Sequence, residues 1–299
     1  MPTPYLTEGR IPFKVGDETF ETYYKLAGDI ASSPRPPCVV LHGGPGISHD
    51  YLVPMADLAA PPNCIPMVFY DQLGNGRSTI LPHKSTLFWT IDLLLDELEN
   101  LLAHLRISGH YDLIGHSWGA MLASEFIIRR QPKGLLRLVL TNGHVSSPLR
   151  SRVMKELRAR LPEDVRACMK KHEAAGTTDS DEYRATEDVF YATFACRVKP
   201  MPSEVTHPLS LARTNPSPRA NEGLADKWDI RDKLHMMRHV PALLINGEYD
   251  YMTDEICGPW FWAMDKIKWY KFANASHMPW WEEREKYMAV VGEFLTRVE

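Results

Sequence analysis

A hydroxyl becomes a useful nucleophile when a histidine takes its proton and a carboxylate holds that histidine. This chain offers the three residue types as Ser117, Asp250 and His277, in that order. Ser117 stands in Gly115-His116-Ser117-Trp118-Gly119, a G-x-S-x-G. The flanking glycines let a strand and a helix approach closely and leave the serine in the open on a sharp turn. The Trp118 N–H then points from a helix start toward any oxygen on the carbon that the serine attacks. His42-Gly43-Gly44-Pro45-Gly46 brings bare N–H groups near a ligand, and Gly44 is the expected second oxyanion donor. The chemistry would be acyl transfer through a covalent acyl-enzyme. Rivals for the acid are Glu248 and Asp254; rivals for the base are His144, His235 and His239. His144 precedes the acid, and the other two precede the final strands. His42 reads as a structural hydrogen-bonder.

Such residues must sit past the C-terminal ends of strands in an open sheet. The apolar run Tyr111 to Ile114 reads as a buried strand, and Trp118 to Arg130 as a helix with Met121, Leu122, Phe126 and Ile127 on one side. Other strands are expected at Cys38 to Leu41, Ile65 to Tyr70, Leu135 to Asn142, Val240 to Asn246 and Lys268 to Phe272, with a hairpin over residues 10–27. Helices are expected at Phe88 to Leu105, Trp260 to Asp265 and Glu282 to Arg297. The loop 71–78 carries Asp71 and Arg77, which are expected to pair across it. This alternation predicts an α/β fold with a mostly parallel central sheet and helices on both faces. Between residues 144 and 226 the strand-like runs vanish. Helices at 149–160, 164–175 and 181–197 and a Pro-rich span at 199–218 read as an inserted helical cap. The core is therefore expected to be 1–143 with 227–299, and the cap 144–226.

The 299 residues are 44% hydrophobic and 24% charged, ordinary for a soluble globular protein. A net charge of −4 argues against nucleic acid or an anionic membrane as a partner. Five scattered cysteines without a C-x-x-C pair predict reduced thiols and no zinc site. The N-terminus lacks a signal-peptide pattern, and no apolar run reaches the roughly 20 residues of a membrane span. A cytoplasmic location is the expectation.

Five motifs together carry a specific resemblance: His-Gly-Gly-Pro-Gly at 42–46, Asp-Gln-Leu-Gly-Asn-Gly-Arg-Ser at 71–78, Gly-His-Ser-Trp-Gly at 115–119, Gly-Glu-Tyr-Asp at 247–250 and Ser-His-Met at 276–278. From about residue 10 to 297, the chain resembles the proline iminopeptidase family of α/β-hydrolases and the related amino-acid amidases. The resemblance implies the α/β-hydrolase fold, with Ser117, Asp250 and His277 as the triad and Gly44 and Trp118 as the oxyanion hole. It implies cleavage of an N-terminal residue, often proline, from short peptides or small amides, without metal or cofactor. The chain departs from that pattern where the family binds a free α-ammonium with acids. Tyr251 follows the triad aspartate, and only Glu222 lies close before Trp228-Asp229-Ile230. Gly43, Tyr251 and Glu222 are the candidate substrate-binding residues. Trp260, Trp262, Met252, Met278, Trp280 and Trp281 around the expected mouth suit an apolar substrate. An esterase, lactonase or amide hydrolase on a molecule lacking a free amine is the second reading. A catalytically silent ligand receptor is the third, and the presence of all three triad types argues against it.

Overall fold

The computed structural model describes residues 6–215, 217 and 227–297. Eight strands form one sheet: β1 (Leu6–Val15), β2 (Glu18–Ala27), β3 (Cys38–Leu41), β4 (Met67–Tyr70), β5 (Tyr111–His116), β6 (Leu135–Thr141), β7 (Ala242–Gly247) and β8 (Ile267–Phe272). Their spatial order is β1-β2-β4-β3-β5-β6-β7-β8. The hairpin β1–β2 and the β2–β4 pair are antiparallel, and all other neighbours run parallel. Strands β3, β4, β5 and β7 are buried at every position, which is why their sequences show no polar alternation.

The α-helices of ten or more residues, among those described, are α1 (Ile91–His104), α2 (Trp118–Arg130), α3 (Ser147–Arg158), α4 (Glu163–Ala175), α5 (Asp181–Phe194), α6 (Ser203–Thr214), α7 (Asp254–Ala263) and α8 (Arg284–Thr296). Successive strand residues feed opposite faces of the sheet. Val39, Leu113, Leu140 and Leu244 pack with α1, α2 and α7. Val40, Ile114, Val139 and Ile245 pack with α8 and the 3₁₀ segment His49–Ala59. Helices α3 to α6 stand in the chain between β6 and β7. No described helix is long and apolar enough to cross a membrane. All five cysteines are free.

Three expectations about elements are corrected. Helix α2 is buried from Trp118 through Ile128, not on one side only. It lies between the sheet and a second layer made by α1 and the Leu234–Met237 turn. Helix α7 begins at Asp254, six residues before the expected Trp260. Pro259 lies inside the helix, where it forgoes the bond to the Glu255 carbonyl, while Asp254 and Glu255 favour the first turn electrostatically. The Pro-rich span contains a regular helix, α6, with Pro202 at its N-cap and Pro208 buried inside it.

Candidate active site

Strand register brings the site together. Leu41 pairs with Gly115, His116 with Thr141, Thr141 with Ile245 and Gly247 with Phe272. The parallel strands thus end at one level, and the loops that follow them meet there. Ser117 occupies the turn between β5 and α2 at φ +53° and ψ −115°, a backbone conformation costly for a residue with a side chain. Gly119 is obligatory, because a Cβ there would lie 2.1 Å from the Leu41 carbonyl oxygen.

His277 and Asp250 meet past the ends of β8 and β7. His277 Nδ1 lies 2.8 Å from Asp250 Oδ1. The same carboxylate accepts from the Met252 N–H at 2.9 Å and from the Asn142 amide at 2.7 Å. These bonds fix the imidazole with its proton on Nδ1 and leave Nε2 as the acceptor. Burial, and then the nearby Arg150 cation, hold His277 well below the usual histidine range. Burial pushes the Asp250 carboxyl upward, opposed by its Met252 and Asn142 donors.

His277 Nε2 does not bond Ser117 directly. It is occupied by the Tyr251 hydroxyl at 2.8 Å, and the same hydroxyl also interacts with the Ser117 side chain. The phenol therefore stands between the two groups that would exchange a proton. Trp118, first residue of α2, has its N–H outside the intrahelical ladder and lines the same cavity as Gly44 and Ser117. Gly43 does not line that cavity, contrary to its expected contact with substrate. Its N–H donates to the Tyr51 hydroxyl at 2.7 Å, and a Cβ there would sit 3.1 Å from that of Ser117.

The cavity above Ser117 has a volume of about 870 Å³. Met121, Met252 and Met278 line it, together with Arg184 and Glu187 of α5 and Arg213 of α6.

Residues 38–290 match the model of the alpha/beta hydrolase family. The chain is 34% identical to the proline iminopeptidase of Saccharolobus solfataricus, covering 92% of this chain and 89% of that one. The chain belongs to the alpha/beta hydrolase family, in its proline iminopeptidase-like branch. Its structure is similar to that of VinJ (TM-score 0.90, 38% identity, 98% of each chain). It is also similar to the proline iminopeptidase of Mycobacterium smegmatis (TM-score 0.85, 32% identity, 96% of this chain and 97% of that one).

Several residues of this hydrolase's site escaped sequence reasoning. Asn142, at φ +55° past β6, bonds both Asp250 and the Ser276 carbonyl. The Asn142-Gly143 pair was a usable turn signal. Tyr51 accepts from Gly43 and faces His116 Nδ1 at 2.6 Å, while His116 Nε2 lies 3.1 Å from the His277 carbonyl. One chain of bonds thus couples the glycine loop, the serine turn and the histidine loop. Nothing in local sequence reveals it.

Other expectations for this hydrolase are corrected. The tryptophans are not the mouth. Trp260 and Trp280 are fully buried, Trp262 is exposed, and Trp280 and Trp281 both donate to the Tyr51 carbonyl at 2.8 Å. Of the six residues read as an apolar rim, only Met252 and Met278 line the cavity. Glu222 lies outside the described residues. Asp71 is engaged chiefly by His49, whose N–H and Nδ1 lie 2.8 and 2.7 Å from it. Burial would raise the Asp71 carboxyl, but His49, His42 and the Arg77 N–H together outweigh it and bring it to about 2. Arg77 does meet Asp71 across the loop, through its backbone N–H at 2.9 Å and its guanidinium at 3.9 Å, while the guanidinium pairs more closely with Asp50 at 2.9 Å. His42 accepts from the Gln72 N–H at 3.0 Å, a structural bond as expected.

One group of described residues has metal-ligand chemistry, Cys168, His172 and Glu182, with donor atoms within 4.8 Å of one another. Glu182 is already shared by His172 and Lys171, and none of the three lines the Ser117 cavity.

Proposed function

We propose that this protein is a serine aminopeptidase or amidase that releases an N-terminal residue, proline among them, from short peptides or small amides. Ser117 attacks the carbonyl, His277 takes and returns the proton, and Asp250 orients His277. The Gly44 and Trp118 N–H groups hold the oxyanion. The observation that carries the reading is the 2.8 Å Asp250–His277 bond beside a serine held at a strained strand–helix turn, in one cavity. The cap divides core segments 1–143 and 227–299 at residues 144–226 and selects the substrate. Catalysis needs no metal, and the cytoplasm is the working compartment.

Amine recognition is assigned to Glu187 of α5. Its carboxylate faces the cavity, is half-buried and forms no ion pair among the described residues. Burial raises its pKa, so a substrate ammonium beside it would restore the charged form. The charged wall also disfavours the second reading, a neutral apolar substrate.

The test compares prolyl and alanyl arylamides with their N-acetyl counterparts and with simple aryl esters. Free-amine arylamides should win by orders of magnitude, and Glu187→Gln should raise KM for them alone. Preference for the acetylated or ester substrates would favour the esterase reading. Failure of a serine-directed fluorophosphonate to label Ser117 in folded protein would leave only a receptor.

A further inference from the structure

The cavity contains a cation that the proposed chemistry does not use. Arg150 is the fourth residue of α3 and lines the cavity with Ser117 and His277. Its side chain forms no hydrogen bond or ion pair among the described residues, and its Nε is buried without a partner. The neighbouring cap arginines are different: Arg213 pairs with Asp188 at 2.8 Å and Arg184 with Asp181 at 3.7 Å. A half-buried guanidinium with an unpartnered buried N–H is costly unless something binds it.

A second donor accompanies it. His144, the rival base that precedes the acid, also lines the cavity, and its Nδ1 is buried and unpartnered. Burial and Arg150 bring its pKa to about 3, so the imidazole is neutral. With Nε2 turned toward the Ser147 hydroxyl at 3.4 Å, the Nδ1 position can carry the proton. No other residue lining this cavity has a buried side-chain nitrogen or oxygen without a partner, among the described residues. Arg150 also acts electrostatically on Tyr251 and His277, which puts its charge next to the reacting groups. The charges bearing most on Glu187 are Arg213, Asp188, Arg158 and Arg184, with Arg150 not among them.

We infer that Arg150, with His144 beside it, is a carboxylate-binding subsite, and that the preferred substrates are di- or tripeptides whose free C-terminal carboxylate lies close to the scissile bond. This rests on the aminopeptidase reading for the position of the amine, but not for the presence of the anion site. A short peptide presents an ammonium and a carboxylate within one small molecule. A cavity with a carboxylate and a guanidinium on its walls, each without an ion-pair partner among the described residues, is complementary to both. Guanidinium forks match carboxylates in geometry as well as charge.

The test is equilibrium binding by calorimetry to Ser117→Ala protein, so that turnover is not required. The ligands are Pro-Ala, Pro-Ala amide and N-acetyl-Pro-Ala. Pro-Ala should bind about tenfold or more tighter than its amide, as expected for a charge-assisted pair. That gap should collapse in Ser117→Ala/Arg150→Gln and be largely kept in Ser117→Ala/Arg150→Lys. Equal affinity for acid and amide, a gap that survives Arg150→Gln, or no binding of any ligand overturns the inference. Loss of the acid preference with strict dependence on the free amine would overturn only the subsite. Equal binding of the acetylated peptide with a weak amide would overturn the aminopeptidase reading and leave the subsite standing. The acid–amide comparison needs no Arg150 variant, so a folding defect in one cannot decide the matter.

Discussion

The Tyr251 hydroxyl lies 2.8 Å from His277 Nε2, the nitrogen that would receive the Ser117 proton. The two rings lie 4.2 Å apart at 30°, and Phe190 packs on the other tyrosine contact at 5.9 Å. His277 Nε2, the base of the proposed mechanism, is thus already occupied. Tyr251→Phe keeps the ring and removes the hydroxyl. Giving up one hydrogen bond worth about 1 kcal/mol should speed fluorophosphonate labelling of Ser117 roughly fivefold. A tenfold slowing would mean that the phenol assists the transfer instead of shielding the base.

Asn142 holds the far side of Asp250. Asn142→Gly keeps the positive φ accessible and deletes the amide. Loss of a hydrogen bond to a buried charged group predicts a fall in kcat on the order of 10- to 100-fold with KM little changed. Steady-state kinetics beside a thermal melt would separate this from unfolding. An unchanged kcat would remove Asn142 from the positioning machinery.

His277 must be neutral to accept a proton. Its pKa is depressed by burial and then by Arg150, so protonation, and with it loss of activity, is deferred to well below pH 6.5. The acidic limb of kcat/KM on an uncharged aryl ester should fall on the acid side of that value. Arg150→Gln should move the limb upward. A limb at or above pH 6.5 in the unaltered protein would contradict the assignment.

Glu97 sets a prediction about stability. It is wholly buried, and burial raises its pKa to about 7, against bonds from the Leu73 N–H and the Thr22 hydroxyl. A carboxyl raised above its unfolded value contributes stability at low pH that is lost as pH climbs from the ordinary glutamate range through about 7. The loss attributable to this group is about 3 kcal/mol. Denaturant melts of Glu97→Gln and the unaltered protein across pH 4 to 8 should converge at low pH and separate above it, with the variant more stable. Parallel curves would show that Glu97 does not titrate in this window.

The serine turn was legible because both of its glycines are demanded by backbone approach, Gly115 by Gly119 and Ala120 within the turn itself and Gly119 by the Leu41 carbonyl of the neighbouring strand. Strands β3, β4, β5 and β7 were legible because each is a short run buried on both faces. The missed residues share a different property. Glu187 is an ordinary acid on α5, and only the packing of distant segments puts it in the wall of the cavity that Ser117 also lines. Trp280 and Trp281 sit beside His277 in sequence, yet their indoles turn away to the Tyr51 carbonyl, more than 200 residues back. Asp71 and Arg77 are six apart and oppositely charged, but His49 is the better partner because it is buried with Asp71.

From its residues alone, this chain could be read as a parallel sheet with a serine turn at its centre, an acid and a histidine past later strand ends, and a helical insertion before them. Those features follow from backbone sterics and burial, which act over a few positions and leave a local mark. Which loop side chains face Ser117, and that a tyrosine hydroxyl lies on the base, were decided only when distant segments packed. Loop side-chain direction is set by partners far along the chain, and no spacing records them.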